Sequence, residues 1–305
     1  MSTAIGADRR AAIDGFAVAT MIGLTFAWGL NGVAVKVSNG GFDPVFVTIL
    51  RSAIGALCVY AWCRWRGIAL FERDGTLVGG LAAGALFGIE FVLIFKGLDY
   101  TSVARSALMV NSMPFWVLIG AHFVLGERMS ALKLIGTVLA FLGVALVFSD
   151  RLSLPDPSAI VGDVMSLAAG IAWAATILVI KKSRLAEAGA EKVLLYQLAV
   201  SAVIVLPLLL VSGPILRDVT ALAIGSVVFQ ATFIVAFTYL IWFWLMRRYP
   251  AAGLSSFAFL TPAFGVLLGG LLLGEPLSLR LFLALGLIAV GIVIVNRPAR
   301  KIPSA

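Results

Sequence analysis

Three ionisable residues stand inside long apolar stretches: Arg51, Glu90 and Arg105. A charged side chain in hydrocarbon costs about 2.5–3.5 kcal/mol on insertion scales, so each needs a partner or a purpose. The chemistry open to them is binding rather than bond-breaking. The single histidine, His122, cannot make a metal site alone. Cys58 and Cys63 lie five apart, which turns them away from one another on a helix. The pattern Gly-x-x-x-x-Gly-Lys-Ser/Thr is absent, so nothing points to ATP as a driver. No catalytic residue, metal ligand or cofactor is expected.

Uncharged polar and aromatic residues form a second set. Asn31 follows Trp28 by three, and Thr176 follows Trp173 by three. Asn111 comes shortly before Pro114, Thr261 directly precedes Pro262, and Gln230 sits in the middle of its own apolar stretch. A rise of about 1.5 Å per residue puts all of them near mid-depth of a membrane. Proline removes a backbone donor and frees a carbonyl one turn earlier. In lipid such a group must be met by a neighbour, water or ligand. Trp28, Asn31, Asn111, Trp173, Thr176, Gln230 and Thr261 are therefore expected to line one central cavity, with Pro114 and Pro262 kinking the helices beside it. Asn and Gln would serve a zwitterion without a fixed charge, while the two Trp rings stack on its side chain. The alternative is that these polar residues merely join helices.

The elements that must position them are membrane helices. The 305 residues are 61% hydrophobic and 12% charged, with mean hydropathy +1.07. Ten apolar segments of spanning length can be marked: 15–37, 44–65, 76–96, 101–124, 130–148, 159–180, 192–211, 221–245, 250–272 and 278–296. Connections are short, and the longest polar one, 150–158, divides the chain into 15–149 and 159–296. Estimated depths bring Glu90 level with Arg51 and Arg105, so a pair between Glu90 and either arginine is expected. Asp163 and His122 fall near helix ends, within reach of water. Two readings of the pair stay open: a structural lock on segments two to four, or a role in substrate-amine or proton coupling. Trp62, Trp65 and Tyr249 fall at interfaces and suit an aromatic belt. Trp242 and its neighbours read as packing or lipid contact.

The halves repeat one another. Ala104, Pro114, Gly126-Glu127 and Gly143 recur as Ala252, Pro262, Gly274-Glu275 and Gly291, at the same spacing. Ala27-Trp28 and Lys36 likewise match Ala172-Trp173 and Lys181. Lys and Arg gather on the side of the N-terminus: Arg9, Arg10, Arg64, Arg66, Arg73, Arg128, Lys181, Lys182, Arg247 and Arg248 among others. Few, such as Lys96, Arg151, Arg217 and Arg280, fall opposite. The formal charge of +8 is thus an orientation signal, not evidence of a nucleic-acid partner, and it puts both termini in the cytoplasm. Five helices per half is odd, so the second half must cross the membrane upside down. The expected fold is an all-α integral membrane protein of ten transmembrane helices, arranged as two inverted five-helix repeats.

In its ten helices, its duplicated Ala-Trp and its Pro … Gly-Glu … Gly at the close of each half, the chain resembles the drug/metabolite transporter superfamily, specifically the EamA-type exporters. The resemblance runs from about Ile22 to Asn296. It implies a bacterial inner-membrane exporter of amino acids, aromatic or other neutral ones, or of related small metabolites, working by alternating access. It is similar above all to the aromatic amino-acid exporters. Its partners would be a small-molecule substrate and the lipid bilayer, and it would act as a monomer. A membrane-embedded enzyme would need a metal cluster or nucleophile–base pair at facing depths, which the chain lacks. A non-transporting scaffold or receptor would have little use for opposed duplication. A cysteine introduced as Ser158→Cys should react with an impermeant reagent added outside, and Ser183→Cys should not. The reverse pattern of labelling would overturn the topology.

Overall fold

The computed structural model describes residues 12–70, 72–98, 100–149, 157, 159–273 and 279–297. Arg9 and Arg10, the 150–158 connection apart from Pro157, the Gly274-Glu275 pair, Arg300 and Lys301 lie outside the described residues. The described chain is helical throughout and forms ten long helices. They are α1 (Gly15–Gly41), α2 (Pro44–Arg66), α3 (Leu77–Leu98), α4 (Val103–Leu125) and α5 (Ala131–Phe148), then α6 (Ala159–Lys182), α7 (Ala190–Leu210), α8 (Ala221–Arg248), α9 (Ala251–Leu272) and α10 (Leu279–Val295). Nine are long and apolar enough to span a membrane, and α10 is a 17-residue apolar helix.

Local chemistry sets where these helices begin and end. The Asp14 carboxylate accepts the Ala17 N–H at 2.9 Å, and Asp43 accepts the Val45 N–H at 2.9 Å with Pro44 in the first turn. Ser102, Ser130 and Thr220 cap α4, α5 and α8 in the same way. Gly67 and Gly126, at φ +66° and +71°, close α2 and α4 in the left-handed conformation, where a Cβ would be strained.

Four helices are irregular: α7 ends in a 3₁₀ turn, Leu206–Leu210, that contains Pro207, and three others depart from α-helical geometry along their course. α4 breaks at Asn111-Ser112 and restarts at Met113 with Pro114 in its first turn. α9 passes through a 3₁₀ turn at Phe257–Phe259 just before Pro262. Each interruption lies immediately ahead of a proline that cannot donate to the helical ladder. The irregular segments meet through the Phe115 and Phe259 rings, whose centroids lie 6.4 Å apart. α8 carries a π-helical stretch, Gln230–Thr238, that no proline or glycine announces in the sequence. Along it Phe229, Phe233 and Phe237 stack in series on the outer surface.

The largest helix–helix contacts cross between the halves. α5 packs on α10, α2 on α7, α3 on α6 and α7, and α8 on α1 and α2. α1 packs on α9, and α6 on α4. Exchanging each helix for its counterpart five places along leaves this set of pairs unchanged. Counterparts in direct contact run antiparallel. Gly136 faces Gly291 while Gly143 faces Ile288, and Ser52 meets Ser201 while Gly55 meets Leu198. Polar ties join the halves at one end of the bundle. Glu127 accepts the Ala251 N–H at 2.9 Å, capping α9 where Pro250 offers no side-chain acceptor. Lys192 donates to Asp74 at 2.8 Å, and together with the Thr76 hydroxyl it holds the Asp74 carboxyl well below the usual carboxylate range. Trp62 and Trp65 are exposed, as a belt requires, but Tyr249 is buried. Its hydroxyl donates to Asp14 and its carbonyl accepts from Lys181, so it is an internal tie.

α5 and α10 approach closely through glycine. A Cβ on Gly291 would sit 2.5 Å from the Gly136 carbonyl and 2.6 Å from the Ala140 nitrogen. Gly286, on the same helix, has nothing within 4 Å of its Cβ position. Gly291→Val should destabilise by about 1–3 kcal/mol through overpacking, and Gly286→Val by no more than about 0.5 kcal/mol. Thermal unfolding in detergent measures both, and equal shifts would overturn this packing.

Candidate functional site

A cavity of about 200 Å³ opens where α1, α3, α4 and α6 to α9 converge. That is below the ~300–1,000 Å³ usual for drug-sized ligands, so it suits a small metabolite. Trp28 and Asn31 line it from α1, Asn111 from α4, Trp173 and Thr176 from α6, and Thr261 from α9. The structure thus brings together six of the residues expected around a cavity. Gln230 is not among them. It lies more than two helical turns before Tyr239, buried on another face, and donates to the Ser38 hydroxyl at 3.0 Å.

Other residues complete the lining. Phe87, Glu90 and Phe91 enter from α3, Gln197 from α7, and Tyr239, Trp242 and Phe243 from α8. Glu90 thus puts a carboxylate in the cavity wall. Trp242 is buried rather than lipid-facing, and its ring meets Trp28 edge-on at 5.6 Å. Trp28 is further fixed by its indole N–H, which donates to the Thr238 hydroxyl at 3.0 Å, and by an edge contact with Tyr239. Gln197 could have been found by the criterion that picked out Gln230, an amide inside an apolar helix. The two aromatic residues carry no comparable signal among seven Trp and five Tyr.

The intramembrane charges sort themselves differently from the depth estimate. Arg105 pairs with Asp163 on α6, not with Glu90. Its guanidinium grips both carboxylate oxygens, and the Thr101 hydroxyl donates to Asp163 at 2.7 Å. Asp163 is buried, so it does not turn to water. The helix end that holds it is covered by the start of α4, which linear depth does not reveal. Arg51 is the charge near Glu90. It acts electrostatically on Glu90 and Tyr239, and its guanidinium lies over the Phe91 ring at 4.8 Å.

Hydrogen bonding divides the polar residues into two groups. Thr176 is satisfied by its own helix, donating to the Ala172 carbonyl at 2.9 Å, and Asn111 donates to the Ala107 carbonyl at 2.8 Å. Four buried atoms on the cavity wall have no hydrogen-bond partner: Asn31 Oδ1, Glu90 Oε2, Gln197 Nε2 and Thr261 Oγ1. A buried unpaired polar group costs about 1–3 kcal/mol, so such a concentration marks a place built for a polar ligand. Ile180 lines this cavity and also a second one of about 490 Å³, which is walled by Lys181, Lys182, Arg247, Arg248, Glu127 and Tyr249. Ile180 thus stands between the central cavity and the basic end of the bundle. Among the described residues, no three His, Cys, Asp or Glu side chains come together as a metal site would require.

The EamA-like transporter family matches the chain twice, at residues 15–149 and 160–297. A Bacillus subtilis protein named "Uncharacterized transporter YoaV" is 24% identical, over 89% of this chain and 94% of its own length. An "Uncharacterized transporter" of Archaeoglobus fulgidus is 30% identical, over 88% of this chain and 95% of its own length. The "Probable amino-acid metabolite efflux pump" of Escherichia coli K12 is 26% identical, over 88% of this chain and 90% of its own length. One crystal structure superposes with a TM-score of 0.81 at 21% identity, covering 96% of this chain and 100% of the other, a likeness of fold.

The ion pair is open to a direct check. Arg105→Ala and Asp163→Ala should couple by at least about 1 kcal/mol in a double-mutant cycle, whereas Glu90→Ala and Arg105→Ala should add within about 0.5 kcal/mol. Reversible unfolding in mixed micelles reads both cycles. Coupling of Arg105 to Glu90 instead would overturn the pairing.

Proposed function

The chain belongs to the EamA-like transporter family, and from that premise we propose that it exports amino acids or related small metabolites across the bacterial inner membrane. Four unpartnered polar atoms facing one aromatic-walled cavity carry this reading. Donors and acceptors left open on a cavity wall are what a small polar solute would satisfy. Trp28, Trp173 and Trp242 would shelter its apolar part. The Escherichia coli relative named for amino-acid metabolite efflux favours the same class of solute.

The mechanism is alternating access between two inverted repeats. The antiparallel run of α2 against α7 and of α5 against α10 supports inversion. The symmetric set of cross-half contacts supports two related packings of one architecture. In the orientation set by the Lys/Arg asymmetry, both termini are cytoplasmic and the basic second cavity lies on the cytoplasmic side of Ile180. Movement of Ile180 would join the two cavities and let solute load from the cytoplasm. Arg105–Asp163 closes the opposite end by holding α4 against α6. The protein acts as a monomer. It performs no enzymatic step, which accords with the transporter names of its relatives.

Proteoliposomes carrying the purified protein should exchange radiolabelled neutral amino acids above empty vesicles. Asn111→Ala and Trp173→Ala should each lower that exchange about tenfold at equal protein amount and monodispersity, and the outward-facing Val293→Ala should leave it within about twofold. Wild-type exchange by both cavity variants would place the route elsewhere.

A further inference from the structure

We propose that Glu90 anchors the protonated amine of the transported solute, so that the cavity takes amine-bearing metabolites in preference to simple acids. This rests on the reading of the cavity as the solute site and adds the group that selects the solute.

Glu90 is the one carboxylate on the cavity wall among the described residues. It is 6% exposed, and its Oε2 accepts no hydrogen bond. The guanidinium that balances it, Arg51, comes from α2 behind the wall, stands over Phe91 and does not itself line the cavity. Tyr239, from α8, is the other titratable group beside it. Nothing of this kind occurs on the opposite side of the repeat. α8, the counterpart of α3, contains neither Asp nor Glu anywhere along its length. The carboxylate is therefore an addition to one half and not a product of the duplication.

An ammonium group has three donors and no acceptor. Glu90 Oε2, Asn31 Oδ1 and Thr261 Oγ1 are three open oxygens on the wall of the same cavity. Around them stand Trp28, Tyr239 and Trp242, whose ring faces attract a cation by about 0.5–2 kcal/mol each when well placed. Gln197 Nε2 is the remaining open atom and the only one of the four that is solely a donor, suited to a carbonyl or carboxylate on the same solute. A deaminated acid would meet Glu90 with like charge and leave the oxygens unpaired. Sites that leave buried polar groups unpaired reject the analogue strongly.

Isothermal titration of the full-length protein in detergent with phenylalanine, phenethylamine and phenylpropionate tests the assignment. The wild type should bind the two amines at least about tenfold more tightly than the acid. Glu90→Gln should weaken both amines about tenfold and leave the acid unchanged or improved, and Glu90→Asp should keep the preference for amines. A uniform loss for all three probes would make Glu90 merely structural and overturn the proposal. Equal wild-type affinity for phenylpropionate and phenethylamine would overturn it with no variant needed, while exchange of amino acids in proteoliposomes would leave the transporter reading standing. Wild-type binding of none of the three would overturn both.

Discussion

Hydrocarbon offers no partner to a polar group, and this constraint shapes every polar position in the bundle. Most of the buried polar side chains obey it by pairing across the halves. Arg105 holds Asp163, Gln230 holds Ser38, Ser166 holds Ser106, and the Trp28 indole holds Thr238. Among the described residues, four of the seven buried side-chain atoms left without a partner collect on the wall of the central cavity, the others being Asn39 Oδ1, Arg51 Nε and Gln230 Oε1. Residues that look alike in sequence thus separate into ties between helices and groups kept open for a ligand. An asparagine, a glutamine and a threonine join the second group only because their helices turn them inward.

The same constraint bears on the helices that lose regularity along their course. α4, α8 and α9 depart from α-helical geometry at Asn111-Ser112, Gln230–Thr238 and Phe257–Phe259, and all three helices border the cavity. Irregular backbone at membrane depth persists only where protein or a cavity meets its freed groups. Proline imposes two of these departures. The third, the π segment, ends at Thr238, immediately before the cavity residue Tyr239 and beside the ring of Trp28.

Small residues make the rest of the packing close. Gly136 with Gly291, Gly97 with Gly162, and Gly29 with the Phe264-Gly265 backbone let opposite halves approach closely, and a Cβ on Gly29, Gly136, Gly162 or Gly291 would collide. Neither half has such contacts within itself on this scale, so each five-helix unit depends on the other for its core. The symmetry is not complete. Glu90 and Arg51 break it on one side of the cavity, and there the chemistry of the site departs from the architecture of the duplication.

The sequence by itself determined the all-helical membrane class, the helix count, the family and the duplication, because hydropathy, helix length and recurring residues are properties of the linear chain. It also picked out Trp28, Asn31, Asn111, Trp173, Thr176 and Thr261, since their depth follows from position along a helix. Which way a side chain points around that helix does not follow from depth. Gln230 shared the depth criterion and faces Ser38, whereas Gln197, Tyr239 and Trp242 were passed over and face the cavity. Nor does depth say which helices are neighbours. Arg105 found Asp163 because α4 lies along α6 of the other half, and Glu90, with Arg51 near it, enters the cavity wall. Partner choice and facing are set by helix rotation and cross-half contact, which only the tertiary structure decides.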